Sequence, residues 1–260
     1  MEQLAGKVAI VTGGGHGIGR RIALIYAGAG ARLVLTGRAP APLEQTRAEL
    51  ERAGTPCLTM EANVANEADC ARMAERTMSA FGRIDILVNN AGIGGPTARL
   101  TETTLAQWQE TIDINLTGAW LAARAVLPQM EKQRSGNILN IGSIAARRGF
   151  SLRSPYAASK WGMVGLTQTL ALEWAAAGVR VNCLCPGSVE GPRIENVFTA
   201  RAAATGRPYQ EIRREVEGNA AMKRLVTEDE IARVALFMVS DDASGMTGQT
   251  VNVDGGCAMS

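Results

Sequence analysis

Apolar residues in this chain cluster in short runs, separated by longer stretches in which apolar and polar positions recur at helical spacing. The runs are residues 7–11, 31–36, 57–60, 84–88, 136–141, 179–184 and 249–253, each bounded by glycine or polar residues. Their length and boundaries predict strands, and their nearly unbroken apolar character predicts strands covered on both faces. Helical patterns occupy 17–29, 41–53, 66–81, 104–130, 155–176 and 227–239. Such alternation predicts an α/β fold, a doubly wound parallel seven-stranded sheet with right-handed crossovers and helices on both faces. No Pro/Ser-rich linker, low-complexity tract or internal repeat divides the chain, so residues 1–260 are expected to form a single domain. Residues 190–222 break the rhythm: Ala200–Ala204 and Gln210–Arg214 are helical in pattern, but Gly191, Pro192, Gly206, Pro208 and Gly218 interrupt them. A long excursion at the ligand end of such a sheet is expected to be a substrate lid, with a passive surface decoration as the alternative.

Composition narrows the function. With 46% hydrophobic residues among 260, the chain can bury one substantial core. A net charge of +2 and only 4% aromatics argue against nucleic acid as a partner. No stretch approaches the ~20 apolar residues of a membrane span, and Met1–Gly6 lacks the basic start and apolar middle of a signal peptide. The expectation is a soluble cytoplasmic protein. The five cysteines (57, 70, 183, 185 and 257) are odd in number and form no C-x-x-C, and there is one histidine. Reduced thiols and no metal site are expected.

Two clusters carry chemistry. The first strand runs into Thr12-Gly13-Gly14-Gly15-His16-Gly17-Ile18-Gly19, and a helix follows. Strand, glycine turn and helix offer free backbone N–H groups and a positive helix end to a phosphate, and glycines let the backbone approach it. The spacing is G-x-x-x-G-x-G. The second cluster is Ser143, at the end of an apolar strand, with Tyr156 and Lys160. Tyr-x-x-x-Lys places both side chains on one helix face. A neighbouring ammonium favours phenolate and lowers the phenol's pKa, so Tyr156 can exchange a proton with a carbonyl or alcohol oxygen. The Ser143 hydroxyl can hydrogen-bond that same oxygen.

These motifs occur in the order glycine turn, Asn89-Asn90-Ala91-Gly92, Ser143, Tyr156-Ala157-Ala158-Ser159-Lys160, then Pro186-Gly187. In that order the chain resembles the short-chain dehydrogenases/reductases over essentially its whole length, from Gly6 to Gly256. The resemblance implies a Rossmann-type domain that moves a hydride between a nicotinamide and a carbonyl carbon without a metal. It implies that Gly13, Gly15, Gly17 and Gly19 shape the pyrophosphate turn beside His16, with Ile18 packed behind. Asn89 and the Asn90-Ala91-Gly92 backbone would border the adenosine ribose and brace the sheet. Tyr156 would be the acid in reduction and the base in oxidation. Lys160 would hold the nicotinamide ribose, and Ser143 the substrate oxygen. Asn115 matches a fourth catalytic position, kinking its helix and holding a water in the proton relay; a buried helix residue bonded to backbone is the alternative. Homotetramers, sometimes dimers, are usual, with Trp108, Trp120 and Trp161 as contact candidates or core residues.

The second strand ends Leu33-Val34-Leu35-Thr36-Gly37-Arg38, without the carboxylate that usually holds the NAD ribose. Arg38 can pair with a 2′-phosphate, and His16 can add a donor, so NADP is expected over NAD. Asn63-Val64 stands where many relatives have Asp-Val against adenine, and an amide oxygen can still accept there. Gly191 stands where a threonine commonly meets the carboxamide, so Val189 with Pro186 and Gly187 is expected to take that role. Arg153 and Arg193 flank the substrate space, where a guanidinium suits a planar anion; solvated or subunit-contact arginines are the alternative. The leading reading is an NADP-dependent ketone reductase or secondary-alcohol dehydrogenase. Alternatives are a 3-oxoacyl-[acyl-carrier-protein] reductase, an NAD-dependent dehydrogenase of a sugar or hydroxy acid, and a non-catalytic dinucleotide sensor.

Overall fold

The computed structural model describes residues 2–259. Seven parallel strands form one sheet in the order β3-β2-β1-β4-β5-β6-β7. They are β1 (Val8–Thr12), β2 (Arg32–Gly37), β3 (Cys57–Glu61), β4 (Ile86–Asn89), β5 (Gly136–Ile141), β6 (Val179–Pro186) and β7 (Thr250–Val253). Each expected strand is present, shifted by a residue or two. Side chains alternate between two cores: Ala9 and Val11 face one side, Val8 and Ile10 the other. The first core is covered by α1 (Gly17–Gly28), α2 (Pro40–Arg52) and α9 (Glu228–Val239). The second is covered by α3 (Glu67–Phe81), α5 (Gly118–Gln133) and α6 (Ser154–Trp174).

Local chemistry sets the element ends. Asn66 caps α3 by accepting from the Asp69 N–H, and Thr227 and Glu230 form a reciprocal capping box at α9. α6 opens with Pro155 in its first turn, where a missing N–H costs nothing.

One expected element is corrected. The pattern at 104–130 predicts a single helix, but α4 (Leu105–Ile112) and α5 are joined by a wider π turn at Asp113–Thr117. One inserted residue hardly disturbs apolar periodicity, so the sequence pattern runs straight through it. The excursion at 190–222 resolves into two helices, α7 (Pro192–Thr205) and α8 (Tyr209–Asn219). Phe198 and Ile212 bury between them together with Leu225, a small core separate from those on the sheet.

Sequence neighbours β1 and β2 pair on one side of β1, while β4 pairs on the other. The order in which strands are added to the sheet therefore reverses at β1, and a crevice opens beyond its carboxyl end. Thr12 ties the two sides together. Its hydroxyl donates to Val88 O and accepts from the N–H groups of Asn90 and Ala91, both at 3.0 Å.

Candidate active site

Two adjoining spaces lie over the carboxyl ends of the strands. The first is a groove of about 610 Å³ at the β1 crevice. Its walls include Gly13, His16, Gly17, Ile18, Arg38, Asn63, Val64, Ala91 and Gly92. The turn is shaped by close approach: a Cβ at Gly19 would lie 2.3 Å from Gly13 O and from Asn90 Nδ2. Gly13 and Gly17 take left-handed conformations, φ 67° and 58°, which glycine adopts without a Cβ penalty. His16 occupies the N-cap position of α1 and makes no side-chain cap bond. The groove walls carry His16, Arg38 and Arg193 and no carboxylate. A helix N-terminus and positive side chains without a carboxylate among them suit the pyrophosphate of a nicotinamide dinucleotide. Asn63 contributes a wall, although its Oδ1 already accepts from Ala65 N at 3.1 Å.

Several expected cofactor contacts sit elsewhere. Asn89 is buried, and its Nδ2 donates to Ala119 O at 3.1 Å and Asn140 Oδ1 at 2.9 Å. It braces β4 against β5 and lines neither space; Asn90, next in sequence, borders both. The reason is strand alternation, which sends successive side chains to opposite faces. Gly15 packs instead against α2: a Cβ there would meet Pro42 and Leu43 at about 3.0–3.1 Å. Gly19 also lies behind the wall rather than on it.

The second space adjoins the groove. Ser143, Tyr156 and Lys160 share its wall with Ile18, Pro186, Gly187 and Val189. Ser143 leaves β5 in extended conformation, and its Oγ accepts from Ala145 N at 3.1 Å. Lys160, one turn along α6 from Tyr156, is buried and donates to Ile141 O at 2.6 Å. Its Nζ lies 5.8 Å from the Tyr156 ring centroid, and the Arg153 guanidinium lies 5.1 Å from it. Burial by itself would raise the Tyr156 pKa. The positive charges of Lys160, Arg193 and Arg153 and the Ser143 hydroxyl outweigh it and hold the phenol below its ordinary value. Burial likewise lowers the Lys160 ammonium, opposed by Tyr156. The structure thus brings Ser143, Tyr156 and Lys160 together.

Asn115 is fully buried on the π turn. Its Oδ1 accepts from Ile93 N at 2.8 Å, and its Nδ2 donates to Ile93 O at 3.0 Å and Ser159 Oγ at 3.1 Å. The side chain lines neither the groove nor the adjoining space. It fixes the loop after β4 against α6.

A third space of about 210 Å³ opens under α7 and α8 and shares Ile144, Phe150, Arg153 and Val197 with the second. Phe198, Arg148 and Cys257 complete much of its wall, and Arg148 Nη2 lies 3.1 Å from Cys257 Sγ. Arg193 stands where groove and second space meet, donating to Gly92 O at 3.3 Å. Sequence reading missed Thr12, Asn140 and the apolar lining from α7. Asn140 donates to Thr167 Oγ1 at 2.8 Å and completes a buried chain with Asn89; a polar residue inside an otherwise apolar strand was the available mark. Among the described residues no cluster of metal-binding type occurs, and no helix is long and apolar enough to cross a membrane.

Known proteins resemble this chain over nearly its whole length. The family model described as enoyl-(acyl carrier protein) reductase matches residues 13–258. The chain is 36% identical over 261 residues to a 3-oxoacyl-[acyl-carrier-protein] reductase of Synechocystis sp., covering 100% of both chains. It is 37% identical over 252 residues to levodione reductase of Leifsonia aquatica, covering 96% of this chain and 93% of that one. The crystal structure of an NAD+-bound xylitol dehydrogenase matches with a TM-score of 0.95 at 30% identity, covering 97% and 99% of the two chains.

Proposed function

The chain belongs to the short-chain dehydrogenase/reductase family and is an oxidoreductase of the alcohol–ketone class, and we propose that it works with NADP and uses Tyr156 as its acid and base. The observation that carries the reading is the placement of Tyr156. It stands with Ser143 and Lys160 on the wall that joins the dinucleotide-sized groove to the partly apolar space under α7.

The turn from Gly13 to Gly19 would take the pyrophosphate, Asn63 and Val64 the adenine side, and Lys160 the nicotinamide ribose. Pro186, Gly187 and Val189 would border the carboxamide. When bound, the nicotinamide supplies or accepts the hydride. The Tyr156 hydroxyl gives its proton to the carbonyl oxygen in reduction and recovers it from the alcohol in oxidation. Lys160 stabilises the phenolate left behind. Ser143 hydrogen-bonds the reacting oxygen and fixes it relative to the phenol. Asn115 is a positioning residue, acting through Ile93 and Ser159. Residues 190–222 serve as the lid, with Gly191 and Gly206, at φ 129° and 70°, flanking its first helix.

NADP is favoured by Arg38 and His16 in a wall free of carboxylates. The test compares kcat/KM for NADPH and NADH across a panel of ketones, in wild type, Arg38→Ala and Tyr156→Phe. Arg38→Ala should lower the NADPH/NADH ratio at least tenfold, and an unchanged ratio removes Arg38 from phosphate recognition. Tyr156→Phe should still bind NADPH yet lose nearly all turnover; near wild-type rates would end the acid assignment. The identity to a relative named 3-oxoacyl-[acyl-carrier-protein] reductase motivates a second substrate reading, tested by adding 3-oxoacyl thioesters to the panel. The NAD+-bound neighbour keeps NAD as the alternative cofactor. Exposed Trp120 on α5 and Trp161 on α6 support assembly as a tetramer, to be checked by sedimentation.

A further inference from the structure

The three spaces contain an unusual excess of positive charge. Lys160, Arg153 and Arg193 all act on Tyr156, and no carboxylate is among the groups acting on it. The walls of the groove and of the space holding Tyr156 contain no Asp or Glu. The one carboxylate in the third space, Glu215, is already paired with Arg201 and Arg207.

The cations divide by position. Lys160 is engaged with Ile141 O, and Arg193 borders the dinucleotide groove. Arg153 differs from both. It is 6% exposed, lines the second and third spaces but not the groove, and its Nε has no hydrogen-bond partner. Burying an arginine without a matching anion is costly. Room is made for it all the same: a Cβ at residue 94 would come within 2.8 Å of its Nη2, so Gly94 leaves the guanidinium its place. It faces the Tyr156 ring at 5.1 Å.

We propose that Arg153 is the receptor for an oxyanion on the substrate, so that the enzyme acts on small oxo or hydroxy acids whose anionic group lies one or two carbons from the reacting carbon. This deepens the oxidoreductase reading above and rests on it. The guanidinium fork matches the two oxygens of a carboxylate or sulfonate. Its distance from the phenol ring limits the spacing, because one short molecule must reach both Tyr156 and Arg153. Binding the anion there orients the carbonyl and completes the buried cation.

The experiment uses near-isosteric probes in the full-length wild-type enzyme. Acetoacetate, 2-oxopropanesulfonate and the neutral acetoacetamide are compared by kcat/KM with NADPH, and by calorimetric binding without cofactor. A charge-assisted pair of this kind corresponds to roughly 10–150-fold in discrimination. At least one of the two anions should therefore exceed the amide by about 30-fold in kcat/KM, and the leading anion identifies carboxylate or sulfonate as the preferred group. In Arg153→Gln the ratio of anion to amide should collapse below about threefold. Arg153→Lys, which keeps the charge and loses the fork, should fall between. A purely structural role for Arg153 would depress all three substrates together and leave the ratio alone, which overturns the proposal. Equal turnover of anions and amide by wild type overturns it too, while leaving the ketone reductase reading in place. Tighter calorimetric binding of an anion than of the amide, with no turnover of any ketone, supports the receptor and sinks the enzymatic reading instead. Equal or undetectable binding without turnover overturns both.

Discussion

Replacing Gly19 by alanine adds one methyl group behind the groove wall, where α1 packs against the glycine turn. That Cβ would lie 2.3 Å from Gly13 O and from Asn90 Nδ2, roughly 1 Å inside ordinary contact distance. Rotating a side chain cannot relieve it, because Gly13 O is backbone. The glycine turn must move away from α1, and Asn90 must release its bonds to Thr12 O and Gly13 O, at 2.9 and 3.2 Å. Overpacking of this kind costs ~1–3 kcal/mol, and each hydrogen bond lost adds ~0.5–1.5 kcal/mol. The expected loss is about 3 kcal/mol, or roughly 6–12 °C in Tm for a domain of this size. Gly28 on the same helix is the control. A methyl group there would meet nothing within 4 Å, and the Gly28 φ is not positive, so Gly28→Ala should be neutral or stabilise by up to ~1 kcal/mol. Urea unfolding and titration with NADPH measure both consequences. Gly19→Ala should also weaken NADPH binding at least tenfold, since the displaced turn is the one proposed to hold the pyrophosphate. A Gly19→Ala protein with wild-type stability and unchanged NADPH affinity would refute the close-packing account of the turn.

Further outcomes concern the phenol, the α9 cap and the buried asparagine chain. Because Tyr156 is held below its ordinary pKa by neighbouring cations, carbonyl reduction, which on the proposed mechanism draws its proton from the phenol, should decline as pH rises through that lowered pKa, and alcohol oxidation should rise. Arg193→Gln removes one of those cations and should move both pH–rate profiles to higher pH; profiles that stay put would exclude Arg193 from tuning the phenol. Thr227→Ala should cost ~1 kcal/mol in urea unfolding by opening the α9 cap. Its partner Glu230 is held at about 2 by the Arg224 guanidinium and the Thr227 amide, below the ordinary 4.5. The folded-state value lies below the unfolded one, so the stabilisation by the Glu230 carboxylate is full above pH 4.5 and fades as pH falls toward 2. The stability gap between wild type and Glu230→Gln should shrink over that window. Asn140→Ala should destabilise by ~2 kcal/mol, because Asn89 Nδ2 loses a buried acceptor; a change under ~0.5 kcal/mol would show that the buried chain contributes nothing net.

The strands and most helices were legible because each is a local pattern. A parallel strand covered on both faces must be apolar along its length, and a tight turn between strand and helix must be glycine wherever a Cβ would collide. Ser143, Tyr156 and Lys160 were legible for the same kind of reason: residue type, order, and a four-residue spacing on one helix. The π turn at Asp113–Thr117 left no mark in the apolar pattern, since one extra residue hardly shifts it, and only the family resemblance at Asn115 pointed to a kinked helix there. Asn115 and Asn89 were assigned by position along the chain, yet their partners are Ile93, Ser159, Ala119 and Asn140. Which way each amide points depends on those distant segments.

By itself, then, the chain determined a doubly wound sheet, one domain, the glycine turn and the phenol–ammonium pair. All of these follow from short-range periodicity and from steric demands that a few adjacent residues meet. Tertiary structure decided which side chains reach open space. It turned Asn89 inward and set Asn90 on the wall, gave Arg153 a buried berth beside Gly94, and left the guanidinium without a carboxylate partner. Those outcomes are sums over segments far apart in sequence, and the balance of charge around a side chain exists only once packing has brought those segments together.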